Sequence, residues 1–484
     1  MEETTPLLGR APSDACRARS IVTLLSLVVF CLSCFGSLSS VPLNRLLEDR
    51  LCRQYGAQYA RLSFIDEQVC KTDTVQSQLA HLNGLLDTLE AVVGLLVAFP
   101  YGALSDKVGR KPIILLSITG FTLASAWMAF VLARDEVPIQ TILLAPAFFL
   151  VGGGRHVTFS TLFSAVSDVT THENRASAFV TISLGSFMGG VVGPVVSSSL
   201  MQIASPWLPF LASFSLGLLG AIILMLVPDT LLLGKQAPDD EDDDDDDYDK
   251  KAVPGSWQLR SHLSRLRAPF SMLQHPELVL VLFAFLAPVP MSTAANQFFV
   301  QYVSKRFAWS MADAGYLQSV RGAVNVLLLL VVLPCLSRLL KDRSLARLSA
   351  ALMTLGCLLM AANSIPLVVG GLVVNTLGDG LAPLCRSLAA NLVARHQQAR
   401  LQTLIGIAEA SSSLFAGPAL AAALSAGMRW SGVWMGLPYF GLATFLFLTT
   451  LPLFFLAVPT RSWREQSKAK DDDASKACLE DSSV

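Results

Sequence analysis

The chain has 484 residues, of which 52% are hydrophobic and only 15% charged, with a formal net charge of −1. Soluble proteins carry about 25% charged residues, and a balanced chain offers no field for a polyanion, so a soluble multidomain protein and a nucleic-acid binder are both excluded. What remains is a series of apolar runs of about 20 residues, the length that crosses a bilayer as a helix.

Residues 1–19 form a polar N-terminal tail in which Glu3-Thr-Thr-Pro-Leu7-Leu8 resembles an acidic dileucine sorting signal read by cytosolic adaptors. An acidic start followed by many apolar runs is not a cleaved signal peptide. Span one is predicted over 20–42. An outer loop, 43–82, follows, with a helical apolar spacing in LNRLLEDRLCRQYG that suits the membrane surface. Cys52 and Cys70 lie in this loop, either as a disulfide, which an oxidising outer face permits, or as two free thiols. The nine cysteines follow no metal-ligand spacing, and no metal site is expected.

Span two, 83–104, carries Asp87 and Glu90 one helical turn apart. Then GALSDKVGRKP (102–112) crowds four charges into the short link before span three, 113–133. Gly102 and Gly109 allow tight turns or close backbone approach. Asp106 suits a helix N-terminus, and Arg110 and Lys111 can bind acids or carbonyls on neighbouring helix ends. Contacts of this kind hold in one arrangement of a bundle and break in another, so the cluster reads as a conformational latch. Span four, 139–166, brings Arg155 and His156 to membrane depth; His156 reads as a packing or hydrogen-bonding group. Span five, 176–200, contains Gly189-x-x-x-Gly193-Pro194, a small-residue spacing for close helix packing. Span six is 207–227.

The stretch 228–276 contains PDDEDDDDDDYDKK, an acidic run that self-repels and stays solvated as a linker. It divides the chain into an N-terminal half, 20–227, and a C-terminal half, 277–457. Span seven, 277–300, reads as a bent helix with Asn296, Gln297 and Gln301 on or near a cavity, and with Phe298 and Phe299 toward lipid. Spans eight to twelve follow at 312–336, 346–365, 367–392, 403–425 and 433–457, with Arg321 in the eighth, Asp379 and Arg386 in the tenth and Glu409 in the eleventh. Residues 458–484 form a second polar tail.

Orientation follows from lysine and arginine in the short loops. With the N-terminus inside, Lys107, Arg110, Lys111, Arg175, Arg338, Lys341, Arg343, Arg347, Arg395 and Arg400 are cytosolic, against Arg134, Lys305, Arg306 and Arg429 outside. Both termini are therefore expected in the cytosol. Span five also repeats in span eleven: Arg175 precedes Gly193 by 18 residues, and Arg400 precedes Gly417 by 17.

Gly102-A-L-S-Asp106-Lys107-V-Gly109-Arg110-Lys111 meets every specified position of the loop 2–3 signature of the major facilitator superfamily, G-x-x-x-D-(R/K)-x-G-R-(R/K), which the chain thus resembles. Gly189, Gly193 and Pro194 are similar to part of that family's antiporter-associated motif, although Val180, Ser197 and Ser198 stand at three of its glycine positions. Arg155 is similar to the arginine of its span-four motif. Aligned on Pro100 and Pro334, the second half has Leu340 where Asp106 would fall, so the latch is eroded there. The resemblance is nearest to fungal drug or metabolite exporters and more distantly to the proton-coupled folate transporter family. It implies an all-α membrane protein of twelve helices in two six-helix pseudo-repeats.

Charges at membrane depth face a partner or a cavity. Asp87 falls opposite Arg321 in the half-repeat, which predicts an ion pair across the halves. Burial favours the neutral form of a carboxylate, so an acid in a span can hold and release a proton. Glu90 is the first candidate, with Arg155 as modulator and Asp379 and Glu409 next. The expected function is secondary transport of a small organic substrate by alternating access, as efflux coupled to protons. A proton-coupled importer and a non-transporting receptor on the same scaffold are the alternatives. No P-loop, H-E-x-x-H or G-x-S-x-G is present, so no enzyme and no cofactor are expected. The expected setting is a monomer in the plasma or vacuolar membrane.

Overall fold

A computed structural model describes residues 12–55, 66–170, 172–230, 288–340, 342–380 and 398–455, with positions 279, 283, 384, 385 and 389 besides. Among the described residues every regular element is helical. The elements are α1 (Pro12–Tyr55), α2 (Asp73–Val108), α3 (Arg110–Ala133), a 3-10 helix (Ile139–Leu150) leading into α4 (Gly154–Val169), α5 (His172–Ile203) and α6 (Trp207–Leu226). In the second half they are α7 (Pro288–Phe307), α8 (Met311–Leu339), α9 (Asp342–Met360), α10 (Ile365–Leu377), α11 (Gln398–Trp430) and α12 (Leu437–Phe455). A π-helical turn, Leu328–Val332, lies within α8 just before Pro334. The sorting signal at Glu3, Leu7 and Leu8, the acidic run, Arg386 and the C-terminal tail lie outside the described residues.

Two elements run past their apolar cores. With 44 residues, α1 is about 66 Å long at 1.5 Å per residue, roughly twice the hydrocarbon thickness. It continues through 43–55, as the helical apolar spacing there suggested although the stretch was placed outside span one, and α2 begins at Asp73 rather than at 83. The extensions persist because they bury polar groups on one another: Glu48 is 0% exposed and Gln76 0% exposed. Thr72 caps α2 by accepting from the Val75 N–H, and Ser310 caps α8 by accepting from the Asp313 N–H. Each such cap contributes about 1 kcal/mol.

Span four was expected as one helix and is broken. Gly152, Gly153 and Gly154 have φ of 90°, 89° and 66°, a backbone that L side chains rarely adopt. A Cβ on Gly152 would lie 2.3 Å from the Ser117 nitrogen, so the break is also pressed against α3. Span ten changes character similarly, from α10 into a 3-10 turn at Gly378–Gly380.

In the first half, Leu25, Val28 and Val29 of α1 pack with Leu162, Ile182 and Leu224 as one apolar core. Gly185, Gly189 and Gly193 lay α5 on α1; Cβ atoms there would meet Ser26 oxygen at 2.6 Å, Ser33 Cβ at 2.6 Å and Ser37 Cβ at 2.6 Å. Without a hydrophobic drive between helices in lipid, such close packing holds them together. The halves meet through two crossings, α2 on α11 and α5 on α8. A Cβ on Gly417 would meet Gly84 oxygen at 2.8 Å, and one on Gly322 would meet Gly190 oxygen at 2.7 Å.

Candidate functional site

The charged link between α2 and α3 is held by helix ends of the first half. Gly109, with φ of 110°, ends α2 and precedes Arg110 at the start of α3. Arg110 pairs with Asp106, donates to Ser105 Oγ at 2.9 Å and donates through Nε to Asp168 Oδ2 at 3.1 Å. Lys111 donates to the carbonyls of Met225 and Val227 at 2.7 and 2.9 Å. One short link thus ties α2, α3, α4 and α6. The side chain of Arg110 is 12% exposed while that of Asp106 is 65% exposed, so Asp106 is the member presented outward. Lys107 lies in the last turn of α2, and a Cβ on Gly102 would meet nothing within 4 Å. Asp168 was not anticipated; an acid at the end of span four, facing a link that carries one arginine and two lysines, was the available signal.

The acids and bases within the spans fall into two groups. In the first half, Glu90 on α2 lies 3.6 Å from Arg155 on α4, immediately after the glycine break. Asp87, one turn earlier on α2, faces α7. Gln297, with its amide nitrogen turned to Asp87, donates to both carboxylate oxygens at 2.8 and 2.6 Å. Thr88, beside it, donates to Gly84 oxygen at 2.9 Å and to Leu414 oxygen on α11 at 3.4 Å. In the second half, Arg321 on α8 pairs with Asp379 at 3.1 Å. The expected pair between Asp87 and Arg321 is not formed. The reason is topological: α2 crosses α11 and α8 crosses α5, so equivalent positions of the repeat lie on opposite crossings rather than facing each other.

Asp87, Glu90 and Arg155 carry two negative charges against one positive. Arg321 and Asp379, by contrast, are one base and one acid. Glu409 is partly buried on α11. On α7, Asn296 is 7% exposed, its carbonyl accepts from Gln318 at 2.8 Å and its Nδ2 has no partner. Gln301 serves the contact between halves instead, donating to Gln76 oxygen at 2.7 Å. Phe298 and Phe299, expected toward lipid, are 3% and 1% exposed; α7 lies inside the bundle, where Phe299 meets the Tyr439 ring edge-on at 6.3 Å.

At the opposite end from the charged link, Cys52 and Cys70 form a disulfide. The adjoining polar cluster was not anticipated. Glu48, Glu67, Lys71 and Gln76 all fall in the stretch read as an outer loop, where charge looks like simple solvation.

A family model described as Major Facilitator Superfamily matches residues 74–343. The chain is 28% identical to the MFS efflux pump atnC of Emericella nidulans, over 90% of this chain and 89% of that one. It is similar in structure to the human organic anion transporter MFSD10, with a TM-score of 0.54 and 20% identity over 90% of this chain and 99% of the other. It is also similar to the nucleoside transporter NupG in its D323A form, with a TM-score of 0.62 and 13% identity over 91% and 100%. At these identities the two structures speak to the fold.

Proposed function

The chain belongs to the major facilitator superfamily, with its twelve-helix fold in two pseudo-repeats, and from that premise we propose that this multi-pass membrane transporter expels a small organic compound in exchange for protons. The observation that carries the coupling is the charge count at the α2–α4 contact. Glu90 has Arg155 at 3.6 Å, and Asp87 one turn away adds a second negative charge. An unbalanced charge at membrane depth is costly, so proton binding there and cargo binding oppose or assist one another through electrostatics. Glu90 is the coupling acid of this proposal. Asp87, held by Gln297 of the other half, carries the protonation state to the contact between halves. Efflux as the direction draws support from the efflux pump named above. The excess of basic residues in alternate short loops supports a cytosolic location for the charged link and for both termini.

The experiment is an uptake and efflux screen in a transporter-deficient host, followed by flux in reconstituted vesicles under an imposed pH gradient. Flux of a recovered compound against its gradient, driven by inward protons and abolished in Glu90→Gln, is the expected result. Flux indifferent to the pH gradient in the unaltered protein removes the coupling. Accumulation rather than expulsion under the same gradient reverses the direction.

A further inference from the structure

We propose that residues 67–76 act as a bolt that closes the bundle at its disulfide end, with Lys71 as its tongue. The segment belongs covalently to the first half, and several of its polar atoms reach across to the second. Lys71 Nζ donates to Ser304 Oγ on α7 at 2.6 Å. Glu67 Oε1 accepts from the Met311 N–H at the start of α8 at 2.7 Å. Gln68 donates to the Ala308 carbonyl at 2.6 Å. Lys305 donates in return to the Lys71 carbonyl and pairs with Asp73 at 2.6 Å. The link between α7 and α8 is therefore gripped on both sides. Ala308 sits in that link at φ of 53°, a conformation that costs a non-glycine residue energy and persists only when its surroundings impose it.

The bolt is anchored on its own side. Glu48 of α1, fully buried, receives Lys71 at 2.8 Å, Arg45 at 3.0 Å and Gln76. The disulfide from Cys52 to Cys70 fixes the residue next to Lys71 to the end of α1. A lysine ammonium that is 7% exposed between two carboxylates and a hydroxyl cannot leave without being resolvated. The anchor contacts lie within one half and survive when the halves separate. The contacts to Ser304, Met311, Ala308 and Lys305 do not survive. Separation at this end thus means withdrawing a rigid segment from a fitted recess, and the position of Lys71 sets how often that happens. At the opposite end, the charged link makes its described contacts within the first half.

The test needs no cargo and no assumption about which side of the membrane the disulfide faces. Spin labels are placed on cysteines introduced at Leu208 on α6 and Val433 before α12, which are 45% and 60% exposed at the disulfide end of the two halves. The background carries Cys16→Ser, Cys335→Ser and Cys478→Ser, and the protein is purified without reductant into lipid nanodiscs. Pulsed dipolar spectroscopy then reads the distance between the labels. Lys71→Met, Lys305→Met and the double change Cys52→Ser/Cys70→Ser are each expected to raise the long-distance population at least about fivefold over the parent. Lys305→Met leaves every anchor in the first half intact, so it answers even if the other variants fold poorly. Distance distributions in Lys71→Met and Lys305→Met that superimpose on the parent overturn the proposal. A failure there leaves the transport reading untouched, because no flux is measured.

Discussion

Arg321 on α8 pairs with Asp379 at the end of α10, 3.1 Å apart, and this pair inverts the polarity of the one formed by Glu90 on α2 and Arg155 on α4. Each half thus ties its second helix to its fourth with one arginine and one carboxylate, next to a place where the fourth helix departs from α geometry. Asp379→Asn is expected to destabilise the protein by about 1–3 kcal/mol, because it strands a guanidinium whose Nε already lacks a partner. The pair is about one-fifth exposed, which keeps the figure below that of a fully buried pair. Thermal unfolding in detergent reads the loss, and the swap Arg321→Asp/Asp379→Arg should restore part of it. Unchanged midpoints in Asp379→Asn and Arg321→Met would discard the tie.

Gln297 bridges the halves by donating to Asp87. Gln297→Leu strands a partly buried carboxylate and removes a link between α2 and α7. We expect the transport rate to fall about tenfold or more, the order of a lost hydrogen bond to a charged group. The cargo's apparent affinity should move less than the rate. Initial flux measured over a range of cargo concentrations separates the two, and a change confined to affinity would place Gln297 in the cargo site instead.

Asp106 and Asp168 share Arg110. Asp106→Asn and Asp168→Asn should therefore change the transport rate or the balance of conformations in the same direction, with the ranking of cargoes preserved. Gly109→Ala should mimic them, since φ of 110° penalises a side chain by about 1–3 kcal/mol. Competition between several transported compounds is the readout. Altered selectivity at an unaltered rate counts against the latch.

Gly84 and Gly417 let α2 and α11 touch backbone to backbone. Gly417→Val pushes a side chain into Gly84 oxygen and Asp87 Cβ, from ideal Cβ distances of 2.8 and 3.0 Å. Such overpacking typically costs about 1–3 kcal/mol. The expected outcome is a protein that inserts and is extracted normally yet transports less than about a tenth of the parent. Gly190→Ala, where a Cβ would meet nothing within 4 Å, is the matched control and should transport normally. Equal activity of the two variants would show that backbone proximity at Gly417 is immaterial.

The apolar runs were legible because lipid rewards them residue by residue, and each of the expected spans overlaps described helix. The family resemblance was legible in one short link, where φ of 110° calls for Gly109 and the charges meet neighbouring helix ends, while nothing in the local geometry requires Gly102. The continuation of α1 showed in the helical apolar spacing of 43–56, whereas the start of α2 was not legible: hydropathy registers contact with lipid, while Glu48 and Gln76 prolong their helices by burying polar atoms against each other. The break in span four was written in Gly152, Gly153 and Gly154, but a window average over 139–166 conceals three residues. Asp87 and Arg321 illustrate a different limit. Repeat alignment identifies equivalent positions, and equivalence under a pseudo-twofold is not contact. Gln297 was placed near a cavity from the prolines and polar patch of a span read as bent; its link to Asp87 depends on how α7 meets α2, which no local pattern encodes.

Gly84 stands eleven residues into α2 (84 − 73) and Gly322 eleven residues into α8 (322 − 311), each at a close crossing between the halves. At both, sliding or twisting one half against the other would drive backbone into backbone, so the glycines that let the helices approach also restrict how the halves can move.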